Sequence, residues 1–190
     1  MKKLAIIIAD GFEETEAIGT IDILRRAMGF SDNKIVSVDT FLLKAQGLNA
    51  IGAHNIEIKC DYNINELNDL EYSAIIFPGG PGYVNYFEDK KLSNITLSMA
   101  KDKKIIAAIC AAPQYLGYLG LVDNKEVVHY PGANKYLDKA KLSSKKEAIQ
   151  DENIITGRSI SSAIDFALLI ADNFLEKSQY KLLFESLIRQ

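Results

Sequence analysis

Short, strongly apolar runs alternate with helix-like segments along the first part of this chain, and this alternation restricts the fold more than any other feature. Runs of this length, rich in Ile and Val, are typical of strands buried on both faces of a parallel sheet. Strand–helix–strand order places successive strands side by side and parallel. The sequence therefore predicts an α/β fold with a mostly parallel central sheet. The predicted strands cover residues 4–8, 34–38, 74–77 and 105–109, and the predicted helices cover about 15–28 and 93–101.

Residues 41–60 interrupt the alternation. Gly47 and Gly52 break this stretch, and polar and apolar residues alternate from 55 to 59, which predicts a small antiparallel excursion. Later segments predict strands at 126–129 and 154–156, helices at about 161–175 and 180–187, and a surface excursion over the polar run 138–152. Because we find no linker and no internal repeat, we expect one domain over residues 1–190.

Composition excludes several classes of function. The chain has 190 residues, of which 48% are hydrophobic, and this is enough for one well-buried core. A net charge of -3 without a basic stripe argues against nucleic-acid binding. The apolar residues 4–9 are followed at once by Asp10, Glu13 and Glu14, which indicates a first strand and neither a leader nor a membrane segment. Only Cys60 and Cys110 are cysteines, so we expect a reducing, cytoplasmic setting, no disulfide framework and no metal site.

Cys110 lies at the carboxyl end of the last apolar run and is flanked by small residues. The order Ala108, Ile109, Cys110, Ala111, Ala112 has the spacing of a nucleophile elbow, a sharp turn that tolerates only small neighbours. Pro113 suits the first turn of a helix, whose free amides would favour a thiolate. The alternative interpretation is a buried core cysteine.

Two more strand ends carry polar or glycine-rich segments, and ligands of open parallel sheets bind at this edge. Glu13 and Glu14 suit the positive end of a helix dipole, whereas Glu16 lies one turn further and can face the crevice. Gly79 and Gly80 could present backbone amides to an oxyanion, or could serve only as a turn. No Lys-Ser or Lys-Thr pair follows them, so a phosphate loop is not predicted.

Four motifs occur in order along the chain: ADGFEETE at 9–16, FPGG at 77–80, AAICAAP at 107–113 and TGR at 156–158. Together they resemble the ThiJ/PfpI superfamily, in the branch of the parkinsonism-associated protein deglycase, over nearly the whole chain. The resemblance implies a flavodoxin-like three-layer sandwich that is usually a homodimer. Carried over by position, it implies that Cys110 is the nucleophile and Glu16 the carboxylic acid beside it. The same resemblance implies that Gly79, Gly80 and the Ala111 amide form an oxyanion site, and that Arg158 is structural or lies on the dimer side.

The chain departs from the superfamily pattern in two places. Ala111 stands where peptidase-like members have a His after the nucleophile, which disfavours a cysteine-peptidase dyad. Tyr130 precedes Pro131, where the deglycase branch often has His, and His129 lies one place earlier. A shift of one residue along a strand turns a side chain to the other face, so His129 and Tyr130 remain alternative site residues. We interpret His54 as a surface or dimer contact and Cys60 as structural.

These residues lead to three functional hypotheses. The first is a cofactor-independent glyoxalase or protein deglycase, in which Cys110 attacks a reactive dicarbonyl, free or on a glycated protein, and Glu16 moves the proton. The second is a redox-responsive or chaperone-like protein of oxidative stress, in which Cys110 oxidises to a sulfinate that the protonated Glu16 stabilises. The third, a cysteine peptidase or amidase, requires His129 to reach Cys110.

Overall fold

The computed structural model describes residues 1–44 and 47–187, and its centre is a seven-stranded sheet. The strand order is β10-β11-β7-β6-β1-β2-β5, and every neighbouring pair is parallel except β10 with β11. Two further pairs lie outside this sheet, antiparallel β3–β4 and parallel β8–β9. The strands are β1 (Lys2–Ile8), β2 (Ile35–Leu42), β3 (Asn49–Ile51), β4 (Glu57–Lys59), β5 (Tyr62–Asn63), β6 (Tyr72–Phe77), β7 (Ile105–Ile109), β8 (Glu126–Val127), β9 (Lys141–Leu142), β10 (Ala148–Asp151) and β11 (Ile154–Gly157).

Helices cover both faces of the sheet, because successive residues of each buried strand point to opposite faces. Leu4, Ile6 and Ile8 pack into one hydrophobic cluster with α1, α4 and α5, whereas Ala5 and Ile7 pack into another with α2 and α3. The predicted mostly parallel sheet and three-layer architecture are confirmed. The helices are α1 (Glu14–Phe30), α2 (Lys90–Lys101), α3 (Pro113–Tyr118), α4 (Ala163–Asp172) and α5 (Lys177–Ser186).

The largest differences from the sequence expectation concern short or polar strands. The polar run 138–152 does not stay on the surface, since β10 joins the central sheet as its antiparallel edge and Ile149 is buried. Strand β2 continues to Leu42, so the antiparallel excursion is limited to β3 and β4; residues 45–46 of that stretch lie outside the described residues. Among the described residues, we find no helix that is both long and apolar enough to cross a membrane.

Candidate active site

Cys110 lies directly after β7 in a left-handed backbone conformation. Its φ of 65° is disfavoured for a residue with a side chain. Hydrogen bonds from two later segments hold this geometry: the Cys110 N–H donates to the Gly157 oxygen over 3.0 Å, and the Tyr130 N–H donates to the Cys110 oxygen over 2.8 Å. Pro113 then begins α3. Cys110 therefore has the strained turn that a nucleophile elbow requires.

Gly79 lies against both Cys110 and Glu16. A Cβ at Gly79 would be 2.7 Å from the Cys110 Cβ and 2.7 Å from Glu16 Oε2, so no larger residue fits there. Gly80 follows with a φ of 86°. The buried Tyr86 hydroxyl donates to the Pro78 oxygen over 2.9 Å and so fixes the start of this loop. The FPGG motif therefore brings the backbone that follows β6 into direct contact with the elbow.

Glu16 reaches the elbow from the first turn of α1. The Glu13 side chain caps this helix by accepting a hydrogen bond from the Glu16 N–H over 2.7 Å. The Glu16 side chain is fully buried, and its Oε2 accepts a hydrogen bond from the Gly79 N–H over 2.9 Å. Oε1 has no partner of standard geometry within the described part of the chain, although the carboxyl as a whole lies within hydrogen-bonding range of the Cys110 thiol. A protonated Oε1 could donate a hydrogen bond to the sulfur. This would remove the free-energy cost of burying the oxygen without a partner.

The pKa values of this pair are strongly coupled. Burial raises the pKa of Glu16 to about 7, although hydrogen bonds from Cys110 and Gly79 limit the rise. Burial and the neighbouring charge of Glu16 raise the pKa of the Cys110 thiol to about 12. The expectation of a lowered thiol pKa is therefore wrong, because burial and the carboxylate outweigh the nearby amides. Near pH 7 the thiol is therefore protonated, and Glu16 is the group of the pair that exchanges a proton.

The three amides expected to form an oxyanion site divide into two groups. The N–H groups of Gly80 and Ala111 hydrogen-bond to the Cys110 sulfur and favour its thiolate. The Gly79 N–H is already donated to Glu16. Two amides therefore face the sulfur, and the third orients the acid beside it.

His129 and Tyr130 lie next to the elbow through their backbone. His129 Nδ1 is 2.7 Å from the oxygen of Tyr130, and the Tyr130 side chain is half exposed. No hydrogen bond joins either side chain to Cys110 among the described residues. Tyr130 contributes its N–H to the elbow, and this backbone role could not be predicted from residue type.

No hydrogen bond joins Arg158 or Cys60 to Cys110 among the described residues. The Arg158 guanidinium donates to the Ser144 oxygen and its N–H donates to the Glu147 oxygen, so it fastens the segment before β10. Cys60 is buried, and burial raises the pKa of its thiol to about 11. Both observations agree with structural roles.

Glu14 and His54 form a pair beside the site that the sequence analysis did not predict. Glu14 is buried, and its carboxylate accepts a hydrogen bond from the His54 N–H and lies 2.8 Å from His54 Nδ1. This contact ties the β3–β4 hairpin to the start of α1. Ligand atoms of Glu13, Glu14 and His54 lie within 4.8 Å of one another, a spacing that a metal ion could bridge, but Glu14 and His54 already contact each other directly. The only sequence signal was Gly52, because a Cβ there would overlap the Glu14 carboxyl.

The architecture recurs in known proteins. The family model described as the DJ-1/PfpI family matches residues 2–173. The chain belongs to this family. DJ-1beta of Drosophila melanogaster is 28% identical over 181 residues, which cover 94% of this chain and 92% of that protein. Its crystal structure superposes with a TM-score of 0.90 at 28% identity, over 100% of this chain and 98% of the other.

Other members of the family differ in length and in the activity that their names give. DJ-1 homologs B and A of Arabidopsis thaliana are 29% and 30% identical over 90% and 94% of this chain, but the chain spans only 38% and 44% of their lengths. A deglycase of Pyrococcus horikoshii is 26% identical over 60% of this chain and 66% of its own length. A glutathione-independent glyoxalase of Caenorhabditis elegans is 28% identical over 63% of this chain and 64% of its own. A Bacillus subtilis protein whose name suggests a cysteine protease is 28% identical over 83% of this chain and 89% of its own.

Proposed function

We propose that this protein is a cofactor-independent enzyme that converts reactive dicarbonyls, of the glyoxalase or protein deglycase type, with Cys110 as nucleophile and Glu16 as acid and base. The observation that carries the proposal is the fully buried Glu16 carboxyl beside a thiol at a strained elbow. Such a carboxyl with a pKa of about 7 is matched to proton transfer at neutral pH. Relatives named as a deglycase and as a glyoxalase support the same class of substrate.

Bond formation begins when the thiol proton passes to Glu16. The Cys110 sulfur bonds to the aldehyde carbon of methylglyoxal, the carbonyl electrons move to oxygen, and Glu16 returns the proton to that oxygen to give a hemithioacetal. The N–H groups of Gly80 and Ala111 lie near the sulfur and can stabilise negative charge that develops beside it.

The second half of the reaction uses Glu16 as a base. The carboxylate removes the proton from the former aldehyde carbon, and the hydroxyl proton on that carbon moves to the ketone oxygen. Glu16 then returns its proton to the neighbouring carbon, so the adduct becomes a thioester: one carbon is oxidised and its neighbour is reduced by the same two electrons. Water then adds to the thioester carbonyl and Cys110 leaves as thiol, releasing lactate. The net reaction consumes one methylglyoxal and one water, and it needs no redox partner.

The assembly and setting are part of the same proposal. We expect a homodimer in the cytoplasm that uses no cofactor and acts on a small dicarbonyl or on its adduct with a protein. Arg158 would serve the fold or the dimer and not the chemistry. The contacts of its side chain and N–H with Ser144 and Glu147 are consistent with the first of these roles.

A redox-responsive protein is the second candidate, favoured by one observation. The Gly80 and Ala111 N–H groups and a protonated Glu16 surround the sulfur with donors, and these could hold the oxygens of a sulfinate. Peptidase activity is least favoured, because His129 makes its ring contact with the neighbouring Tyr130 oxygen.

The deciding experiment is lactate formation from methylglyoxal by wild-type protein, Cys110→Ser and the control Cys60→Ser, with folding checked by circular dichroism. We expect Cys110→Ser to abolish turnover and Cys60→Ser to retain it, since only Cys110 lies beside Glu16. Turnover that survives in folded Cys110→Ser would exclude Cys110 as nucleophile. If wild-type protein forms no lactate but peroxide converts Cys110 to a sulfinate, the redox candidate replaces the enzyme.

A further inference from the structure

Two buried side-chain oxygens have no hydrogen-bond partner among the described residues, and they belong to neighbouring turns of α1. They are Oε1 of Glu16 and Oγ1 of Thr20. Both side chains are fully buried, with 0% of their surface exposed. A buried oxygen that has lost bulk water and gained no other partner carries a free-energy cost. Two such atoms in adjacent turns therefore indicate a partner that they share.

The geometry of the helix brings the two side chains together. Residues four apart lie on the same face of an α-helix, with their Cβ atoms about 5–6 Å apart. Because every Cα–Cβ bond tilts toward the helix N-terminus, the Thr20 side chain lies over the turn that carries Glu16. No hydrogen bond joins the two oxygens directly. One water molecule, which hydrogen-bonds over about 2.8 Å on each side, spans the separation expected between such neighbours.

Thr96 shows what a buried threonine hydroxyl does when it serves only its own helix. It is fully buried on α2, and its Oγ1 donates to the Leu92 oxygen, four residues earlier, over 2.8 Å. The corresponding acceptor for Thr20 is the backbone oxygen of Glu16, and the Thr20 hydroxyl does not use it. The Thr20 hydroxyl is therefore directed to a group other than its own helix backbone.

The other titratable groups around Glu16 do not supply this partner. The Cys110 thiol lies within hydrogen-bonding range of the carboxyl, and Glu13 and Tyr86 interact with its charge. The Tyr86 hydroxyl donates to the Pro78 oxygen over 2.9 Å, and a carboxylate such as Glu13 accepts hydrogen bonds but does not donate them. A buried water commonly satisfies polar groups that protein atoms leave unpaired.

We propose that one buried water molecule accepts a hydrogen bond from Thr20 Oγ1 and donates one to Glu16 Oε1, which makes Thr20 a positioning residue for the carboxyl beside Cys110. The hydroxyl orients the water so that it offers a donor to the ionised form of Glu16, and this favours release of the proton. The role of this contact in catalysis rests on the proposed function, whereas the contact itself is tested without a substrate.

The pKa of Glu16, measured by carbon-13 nuclear magnetic resonance of the labelled carboxyl, tests the proposal. Thr20→Val keeps the shape of the side chain but removes the hydroxyl, and it should raise the pKa of Glu16 by about one unit because the carboxylate loses an oriented donor. Thr20→Ser retains a hydroxyl and should leave the pKa close to that of the parent. Thr96→Val is the matched control, since it removes a buried hydroxyl that serves only α2, and it should not change the pKa.

Crystallography of the same proteins gives a second measurement. We expect a water within about 3 Å of both Thr20 Oγ1 and Glu16 Oε1 in the parent, and its loss in Thr20→Val. The proposal is wrong if Thr20→Val leaves the pKa of Glu16 unchanged, if Thr96→Val raises it as much, or if the Thr20 hydroxyl donates to the Glu16 backbone oxygen. Neither measurement uses dicarbonyl turnover. A protein that shows both results but forms no lactate would therefore contradict the proposed function and support the water-mediated contact.

Discussion

Glu14 and Glu16 are two residues apart on α1, both buried, and their pKa values shift in opposite directions. Burial opposes ionisation of Glu14, yet the ring and backbone N–H of His54 hold its pKa below the usual value. Glu16 is fully buried and, besides the thiol, receives one amide, so burial raises its pKa to about 7. The number of donors that reach a carboxyl decides the direction, and not burial alone. Glu14 is consequently suited to hold the hairpin on the helix, and Glu16 is suited to exchange a proton.

The largest expected effect comes from removing the exchangeable proton of Glu16. Glu16→Gln should lower dicarbonyl turnover by about 100-fold or more, since a positioned acid and base contributes this much. In a Cys60→Ala background, alkylation of Cys110 in the parent should rise only well above the ordinary thiol range of about 8.5, since burial and Glu16 raise the thiol pKa, and in Glu16→Gln it should rise at lower pH because the neighbouring charge is gone. Stopped-flow alkylation measures both profiles. Identical profiles would show that the Glu16 carboxylate does not raise the pKa of the thiol.

The same substitution should also change how stability depends on pH. The folded-state pKa of Glu16 is raised, from 4.5 to about 7, so the folded protein binds more protons in this interval and loses stability as pH rises through it. Glu16→Gln does not titrate, and its stability relative to the parent should increase between pH 4.5 and 7 by up to about 3 kcal/mol. Urea unfolding at several pH values measures the difference. A constant difference would contradict a raised pKa.

Gly52→Ala tests whether the β3–β4 hairpin packs against the carboxyl of Glu14. The added Cβ would overlap the Glu14 carboxyl, so we expect a loss of about 1–3 kcal/mol of unfolding free energy. Gly120→Ala is an unsuitable control because of its positive φ, whereas Gly29→Ala has open space around it and should not destabilise. Equal destabilisation by both variants would show that the hairpin is not seated on Glu14.

The smallest expected effect concerns His54, which is mostly exposed. Its hydrogen bond and charge interaction with Glu14 raise the pKa of the imidazole above 6.5. The contact should therefore stabilise the fold fully below the unfolded-state pKa and lose its effect as pH rises through the folded-state value. Nuclear magnetic resonance titration of His54 should give a raised pKa that falls in Glu14→Gln. If the pKa of His54 is the same in both proteins, Glu14 is not the cause of the shift.

Sequence patterns predicted the parts of this molecule that depend on local apolar order. The buried strands β1, β6 and β7 were predicted because their runs are long and uncharged, and the family followed from four ordered motifs. Strand β5 has two residues and β10 is polar, so neither has a hydrophobic pattern to recognise. Both strands form by pairing with neighbours that are already in the sheet.

The identities of the two central site residues could be predicted from the sequence, but their long-range contacts and the direction of the Cys110 pKa shift could not. Cys110 and Glu16 follow from motif position, whereas the Tyr130 N–H, the Gly157 oxygen and His54 act through distant contacts that leave no local signature. The direction of the Cys110 pKa was missed for the same reason. It depends on how deeply the elbow is buried, and this is a property of the assembled fold.

The two backbone hydrogen bonds at Cys110 have a consequence for folding. They come from residues 20 and 47 positions further along the chain, and Glu16 comes from 94 positions before it. A chain that emerges during synthesis therefore carries an ordinary cysteine until its last third has been made and docked. The reactivity of the Cys110 thiol would then change when a newly made molecule completes its tertiary structure, and it could be used to follow that step.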